Sequence, residues 1–113
     1  MSEKDIRIYA YDILDCIQAI EEFTKDMEFD QFAQNRLVFD AVVKNLETIG
    51  ETAKKFPAGI LKNYPAIDWK EVKGLRDVIA HNYFDLDKEA IWGITREKLE
   101  ELKQIVFQMY QGK

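Results

Sequence analysis

Four polar side chains in one short stretch of the sequence could carry out chemistry together. They lie in residues 75–87, LRDVIAHNYFDLD, and comprise Arg76, Asp77, Tyr83 and His81, the single histidine of the chain. An arginine presents a planar set of donors that suits a phosphate and the negative charge developing on it. A histidine can take a proton from a ribose 2′-hydroxyl or give one to a leaving oxygen. Together they suffice for metal-independent cleavage of RNA, because the RNA supplies its own nucleophile.

Helical periodicity predicts one helix from about residue 69 to about residue 83, with Arg76, Asp77 and His81 on its outer half. At about 100° per residue, Val72, Leu75 and Ile79 form its core-facing side. Arg76 lies on the flank, and Tyr83 returns to the same face as Arg76. An acidic protein thus gathers three cations and its only imidazole on the outer half of one helix. This outer half carries Lys70, Lys73, Arg76, Asp77 and His81.

Two spacings within this helix bear on mechanism. Asp77 and His81 are four residues apart, so the carboxylate can reach the ring, hold one tautomer and favour the imidazolium. Arg76 and His81 are separated by about 140° around the helix and about 7.5 Å along it, so one rigid helix does not easily aim both at one atom. A second copy packed across a two-fold axis would close that gap, because such an interface brings each residue close to its own copy.

The spacing R-x4-H alone leaves alternatives open, since it occurs often by chance. A surface histidine near a helix C-terminus commonly interacts with the helix dipole, and a residue there can also belong to an interface. Asp85 and Asp87 are close in sequence, and we interpret them as helix-capping residues rather than as a carboxylate pair for catalysis. Periodicity therefore permits a catalytic site, a solvated helix end or an interface at this position.

The rest of the chain predicts an all-α, up-and-down four-helix bundle with one short extra helical turn. The long helices are expected at about residues 5–27, 31–55, 69–83 and 88–110, with the extra turn in 57–65. Asp30 and Asp87 are predicted N-caps, and Asp68 with Glu71 predicts a capping box. Apolar stripes at three- and four-residue steps are expected to face the core. They comprise Ile6, Tyr9, Ile13, Cys16, Ile17, Ile20, Phe23 and Met27; Val38, Val42, Leu46, Ile49, Ala53 and Phe56; and Ile91, Ile94, Leu99, Leu102, Val106 and Met109.

Composition favours a single domain spanning residues 1–113. The chain has 47% hydrophobic and 33% charged residues and a formal net charge of −5, which weighs against a general nucleic-acid binder but not against a local basic patch. The lone Cys16 excludes an internal disulfide and a multi-cysteine metal site, and we expect it to be a buried hydrophobe. We predict no metal, no cofactor, no membrane span and no signal peptide, and hence a cytoplasmic protein.

The motif segment resembles the signature of HEPN-domain proteins of the HepT type. The resemblance rests on GLRDVIAHNYFDLD (74–87), which fits the pattern R-x4-H-x-Y of this branch, with a polar residue after the arginine. It extends to IGETAKKF (49–56), IDW (67–69) and DKEAIW (87–92), and so covers most of residues 37–102. The bare R-x4-H is a weak signal, whereas the full set in this order is a strong one.

The resemblance implies a HEPN-like helical bundle that forms a two-fold dimer with the two motifs facing each other. It implies a toxin of a toxin–antitoxin pair that cleaves RNA or tRNA, with Arg76 and His81 as catalytic residues and Asp77 in support. Lys70 and Lys73 would then bind RNA. The implied partner is a minimal nucleotidyltransferase antitoxin, of the MNT type, that attaches AMP to Tyr83. The alternative is a non-catalytic helical module that binds this nucleotidyltransferase or presents it with substrate.

Overall fold

The computed structural model describes residues 3–82 and 85–112, and within these ranges all regular secondary structure is helical. The prediction of an all-α fold with four long helical segments and one short extra turn is confirmed. The helices are α1 (Glu3–Phe23), α2 (Phe29–Gln34), α3 (Arg36–Ala53), α4 (Ala58–Leu61), α5 (Trp69–Asn82), α6 (Lys88–Gly93) and α7 (Leu99–Gln111), with a π-helical segment (Ile94–Lys98) between the last two.

The two central helices of the bundle are α1 and α3, each of which packs against at least two others. The apolar side of α1 packs against α3 on one flank and α7 on the other, and α5 packs against the far side of α3. Side chains with no solvent exposure line the junctions, as expected for stripes spaced at three and four residues. They are Ala10, Ile13, Ile17, Ile20, Phe32, Val42, Leu46, Ile49, Ala53 and Val106. The helix that carries the motif, α5, therefore packs mainly against α3.

The first helix is shorter than predicted. It ends at Phe23 rather than near Met27, and Phe23 is 42% exposed instead of facing the core. The fully buried Thr24 hydroxyl donates to the carbonyl oxygen of Ile20 at 2.8 Å, and Asp26 adopts a left-handed backbone with φ 61°. A hydroxyl that bonds the preceding turn and a left-handed residue together end the helix at this point.

The prediction of one helix over residues 31–55 is wrong in one respect. The structure has two helices there, α2 and α3, which meet at Asn35. The side chain of Asn35 accepts a hydrogen bond from the Val38 N–H at 3.1 Å and caps α3, while its extended backbone (φ −105°, ψ 91°) breaks the helix. The break lets the fully buried Phe32 stack with Phe39 and Trp92, at ring distances of 5.6 and 4.9 Å.

The capping roles predicted for Asp87 and Asp68 are confirmed, whereas the one predicted for Asp30 is wrong. Asp87 accepts from the N–H groups of Glu89 and Ala90, and Asp68 accepts from the Glu71 N–H at 3.2 Å. The Glu71 carboxylate pairs with Lys98 instead of completing the predicted box. Asp30 is not an N-cap, since α2 begins one residue before it. The N-cap is Glu28, whose N–H donates to the Gln31 side chain at 2.8 Å.

The last predicted helix begins and ends within a residue of its predicted bounds, but the π-helical segment interrupts it. This segment carries Arg96, whose guanidinium lies 4.2 Å from the Trp92 ring. The same guanidinium donates to the carbonyl oxygens of Thr24 and Met27, at 2.6 and 2.9 Å. Arg96 therefore ties the π-helical segment to the turn that follows α1, where the Thr24 carbonyl oxygen also accepts from the Met27 N–H at 3.1 Å.

The environment of Cys16 agrees with its predicted structural role. Its side chain is 9% exposed in the core, and burial raises the pKa of the thiol, with Asp15 and Asp12 adding to the effect. A raised pKa disfavours the reactive thiolate. Across the described ranges, the helices are all too short or too polar to cross a membrane.

Candidate active site

The position of α5 depends on a glycine in α3. A Cβ atom placed on Gly50 would lie 3.0 Å from the Val72 carbonyl oxygen, 3.2 Å from the Arg76 nitrogen and 3.2 Å from the Leu75 Cβ. Two of these neighbours are backbone atoms of α5, which cannot turn away as a side chain can. The absence of a side chain at Gly50 thus allows the two helices to approach closely at the level of Arg76.

The start of α5 is fixed by an aromatic anchor. The Trp69 indole is 8% exposed, and its N–H donates to the Tyr64 carbonyl oxygen at 3.0 Å. Its ring meets the Phe56 ring edge-on, with centroids 6.2 Å apart. Since Phe56 follows the end of α3, this contact and the Gly50 contact hold α5 to α3 at two levels.

The predicted faces of α5 agree with the observed burial. Ile79 is 2% exposed, and Val72 and Leu75 are partly buried beside it. Arg76 and His81 are exposed, as predicted from their angles around the helix.

The Arg76 side chain lies among charges from both helices. Its Nε lies 3.7 Å from a carboxylate oxygen of Glu51 on α3, and its Nη1 lies 3.8 Å from the Asp77 carboxylate. Lys54, which follows α3, contacts the same two acids at 3.1 Å (Glu51) and 3.7 Å (Asp77). These four side chains are 39–57% exposed, so an incoming phosphate can reach them.

The prediction that the Asp77 carboxylate holds the His81 ring is wrong. The carboxylate pairs with Lys54 and Arg76, whereas His81 Nδ1 lies 2.8 Å from the backbone carbonyl oxygen of Asp77. The carboxylate is drawn away because two cations lie on the side of α5 that faces α3. Asp77 still contacts the ring, but through its backbone.

The hydrogen bond of His81 determines which ring nitrogen is available. A carbonyl oxygen only accepts, so Nδ1 carries the proton. In the neutral ring Nε2 then has a free lone pair and can take a proton, and in the charged ring Nε2 can give one back. The backbone of α5 thus performs the tautomer selection that we expected from the carboxylate.

The structure describes two of the remaining predicted residues, Lys70 and Lys73. Lys70 is exposed and Lys73 is partly buried, both nearer the start of α5 than Arg76. Tyr83 lies outside the described residues. Sequence reasoning missed Glu51, Lys54 and Gly50 as parts of the site. All three lie in IGETAKKF, the segment of α3 that contributed to the resemblance, and this could have indicated their proximity.

An open groove of about 210 Å³ lies on the other side of α5, facing α7. Val72, Leu75 and Leu102 are among its apolar walls, and the Glu71–Lys98 ion pair spans it. The hydrogen bond to Glu71 raises the pKa of Lys98, which keeps the lysine charged. In the described part of the chain, no three His, Cys, Asp or Glu side chains come together where they could hold a metal ion.

Sequence comparisons find relatives that match most of this chain. A protein of Methanocaldococcus jannaschii, "Putative RNase MJ1216", is 40% identical over 104 residues, which cover 92% of this chain and 86% of that protein. A second from the same organism, "Putative RNase MJ0127", is 38% identical over 110 residues, covering 94% and 91%. "Probable ribonuclease HepT" of Thermococcus cleftensis is 36% identical over 102 residues, covering 90% of each chain.

No solved structure matches the chain. The family model "Ribonuclease HepT-like" matches residues 13–109, which include α3, α5 and every charged residue placed around Arg76. The match extends over most of the bundle, and the alignments cover 86–91% of the three relatives named above. The chain therefore belongs to the HepT-like ribonuclease family.

Proposed function

We propose that this protein is a metal-independent endoribonuclease in which Arg76 and His81 act on a phosphodiester of RNA. The observation that carries the proposal is the hydrogen bond from His81 Nδ1 to the Asp77 carbonyl oxygen, which puts the proton of the neutral ring on Nδ1 and the lone pair on Nε2. Membership of the HepT-like ribonuclease family supports the choice of RNA. Lys70 and Lys73 would extend the positive surface along α5 toward the RNA backbone.

The proposed reaction is an internal transfer. His81 Nε2 takes the proton of the ribose 2′-hydroxyl, and the 2′-oxygen attacks the adjacent phosphorus. The Arg76 guanidinium offsets the charge that builds up on the non-bridging oxygens. The bond to the 5′-oxygen breaks, and that oxygen receives a proton from an imidazolium or from water. The products are a 2′,3′-cyclic phosphate and a 5′-hydroxyl.

We further propose that the site is shared between two copies of the chain. Within one α5, Arg76 turns toward α3 while the His81 ring bonds back onto its own helix. The two are separated by about 140° around an ideal helix. A two-fold dimer in which α5 faces α5 would place Arg76 of one protomer near His81 of its partner.

The chemistry of the RNA ends tests this mechanism. Purified protein incubated with a mixed RNA substrate should produce 2′,3′-cyclic phosphate and 5′-hydroxyl ends at an unchanged rate in EDTA. The reason is that the 2′-oxygen is the nucleophile and side chains supply the proton transfers. Sequencing of RNA ends, with and without phosphatase treatment, measures this. Ends bearing a 3′-hydroxyl, or activity lost in EDTA and restored by a divalent ion, would contradict the mechanism.

We propose that the protein acts as the toxin of a toxin–antitoxin pair, controlled at Tyr83 by a minimal nucleotidyltransferase. The support is the R-x4-H-x-Y motif, in which Tyr83 follows His81 by two residues and which resembles the signature of HepT-type toxins. An AMP group there would bring a phosphate that competes for the arginine and bulk that blocks RNA.

Substitution of Tyr83 tests this control. Tyr83→Phe keeps the ring and removes the acceptor hydroxyl, so the variant should remain toxic when the nucleotidyltransferase is co-expressed, whereas wild type is neutralised. Growth assays measure toxicity, and mass spectrometry of residues 77–88 measures AMP on wild type. If the partner neutralises the variant fully and no adduct appears on wild type, the antitoxin acts by binding alone.

A further inference from the structure

The charges around Arg76 form a closed ring. Glu51 contacts Lys54 at 3.1 Å and Arg76 at 3.7 Å, and Asp77 contacts the same two cations at 3.7 and 3.8 Å. Two acids therefore alternate with two bases, and the ring links α3 to α5. Each cation is bound to both carboxylates, so the ammonium and the guanidinium are held next to one another.

Stability does not explain this arrangement well. All four side chains are between 39% and 57% exposed, and exposed ion pairs contribute little to folding. A carboxylate neutralises a nearby cation but can be displaced by a phosphodiester, which offers acceptor oxygens of the same charge. The ring thus holds two cations side by side at the surface, in a form that an incoming phosphate can open.

We propose that Lys54 is a phosphate-binding residue of the candidate active site, contacting the RNA backbone beside Arg76. This rests on the proposed ribonuclease function and adds a phosphate-binding cation from just after α3 to those on α5. Glu51 and Asp77 place the lysine before RNA arrives, and a phosphodiester then takes over its donors. The role is in binding, because Lys54 supplies charge without a proton transfer.

The neighbouring residue provides a matched control. Lys55 has the same charge and also lies just after α3, but its ammonium lies 5.5 Å above the Tyr9 ring, against α1 rather than α5. Lys54→Ala and Lys55→Ala therefore change the net charge equally and differ only in position relative to Arg76. Lys54→Arg provides the rescue, since it keeps the charge and the donors.

We expect Lys54→Ala to raise KM for RNA about 2- to 5-fold with kcat nearly unchanged, the effect of losing one exposed phosphate contact. Lys54→Arg and Lys55→Ala should resemble wild type. A variant that merely misfolds would lose kcat instead. For a non-cleavable 2′-O-methyl oligonucleotide, the slope of log affinity against log salt should fall by about 0.7 for Lys54→Ala, as for one lost single-strand phosphate contact, and stay constant for Lys55→Ala.

The outcomes separate this inference from the proposed function. If wild type cleaves RNA and Lys54→Ala has the same KM and salt slope, Lys54 does not bind phosphate, although the ribonuclease assignment stands. Equal losses for Lys54→Ala and Lys55→Ala would also overturn the inference, because long-range charge would then explain both. If folded wild type neither binds nor cleaves RNA, the proposed function fails and this inference fails with it.

Discussion

Arg76→Ala and His81→Ala should each reduce the rate of RNA cleavage at least about 100-fold, the usual contribution of a positioned acid–base or charge-stabilising group. Both side chains are exposed, so neither truncation opens a cavity, and helical circular dichroism should not change. Arg36→Ala is the matched control, since that arginine is 83% exposed on α3 and pairs with Asp40, away from α5. Cleavage of a labelled RNA under single-turnover conditions measures all three.

Mixing the two inactive variants extends this prediction to the shared site. In a heterodimer of Arg76→Ala and His81→Ala, one composite site has lost both residues and the other retains both. Random exchange of protomers makes half of the dimers mixed, so about a quarter of wild-type activity should return if the interface is two-fold. If the mixture stays inactive after verified exchange, each site belongs to one protomer. Full activity of either single variant would remove that residue from the mechanism.

Gly50→Ala should lower both stability and cleavage, even though alanine is the better helix former. The new methyl group would meet backbone atoms of α5 at 3.0 and 3.2 Å. Such overpacking costs about 1–3 kcal/mol, against a gain of about 1 kcal/mol from helix propensity, so we expect a net loss of about 1 kcal/mol. Because Arg76 is among the displaced residues, activity should fall about tenfold or more. Thermal unfolding and the cleavage assay measure the two effects.

The control for this substitution lies on α5 itself. Within one protomer a Cβ on Gly74 would have no atom within 4 Å, so Gly74→Ala should stabilise the fold by up to about 1 kcal/mol, the opposite sign to Gly50→Ala. The two variants make the same chemical change on adjoining helices. A Gly50→Ala protein that is more stable than wild type and equally active would show that α5 can shift without disturbing Arg76.

Periodicity predicted the helices well but not the points at which local hydrogen bonds break them. The stripes of α1, α3 and α7 lie in the core almost as expected, because burial of an apolar face dominates over about 20 residues. The break at Asn35 depends on one side chain that caps α3, inside a run with no glycine or proline. The short α1 depends on Thr24, whose hydroxyl bonds the preceding turn.

The same difference applies to the candidate site: features that depend on one helix were predicted correctly, and a contact that depends on two was not. The exposure of Arg76, Asp77 and His81 could be predicted from their angles around one helix, because these angles depend only on spacing in the sequence. The Asp77–His81 contact was predicted wrongly because it competes with Lys54, a residue on another helix. Spacing within α5 contains no information about Lys54, and only the packing of α5 on α3 brings the two together.

The small number of buried side chains on α5 has a consequence for local unfolding of the bundle. Among its described side chains only Trp69 and Ile79 are buried, whereas α3 buries eight residues against neighbours on both flanks. Segments with few buried contacts exchange their amide hydrogens through local opening, at a lower free energy than global unfolding. The helix carrying Arg76 and His81 should therefore detach while α1, α3 and α7 remain folded. The site would be lost and re-formed by this local unfolding much more often than the whole protein unfolds.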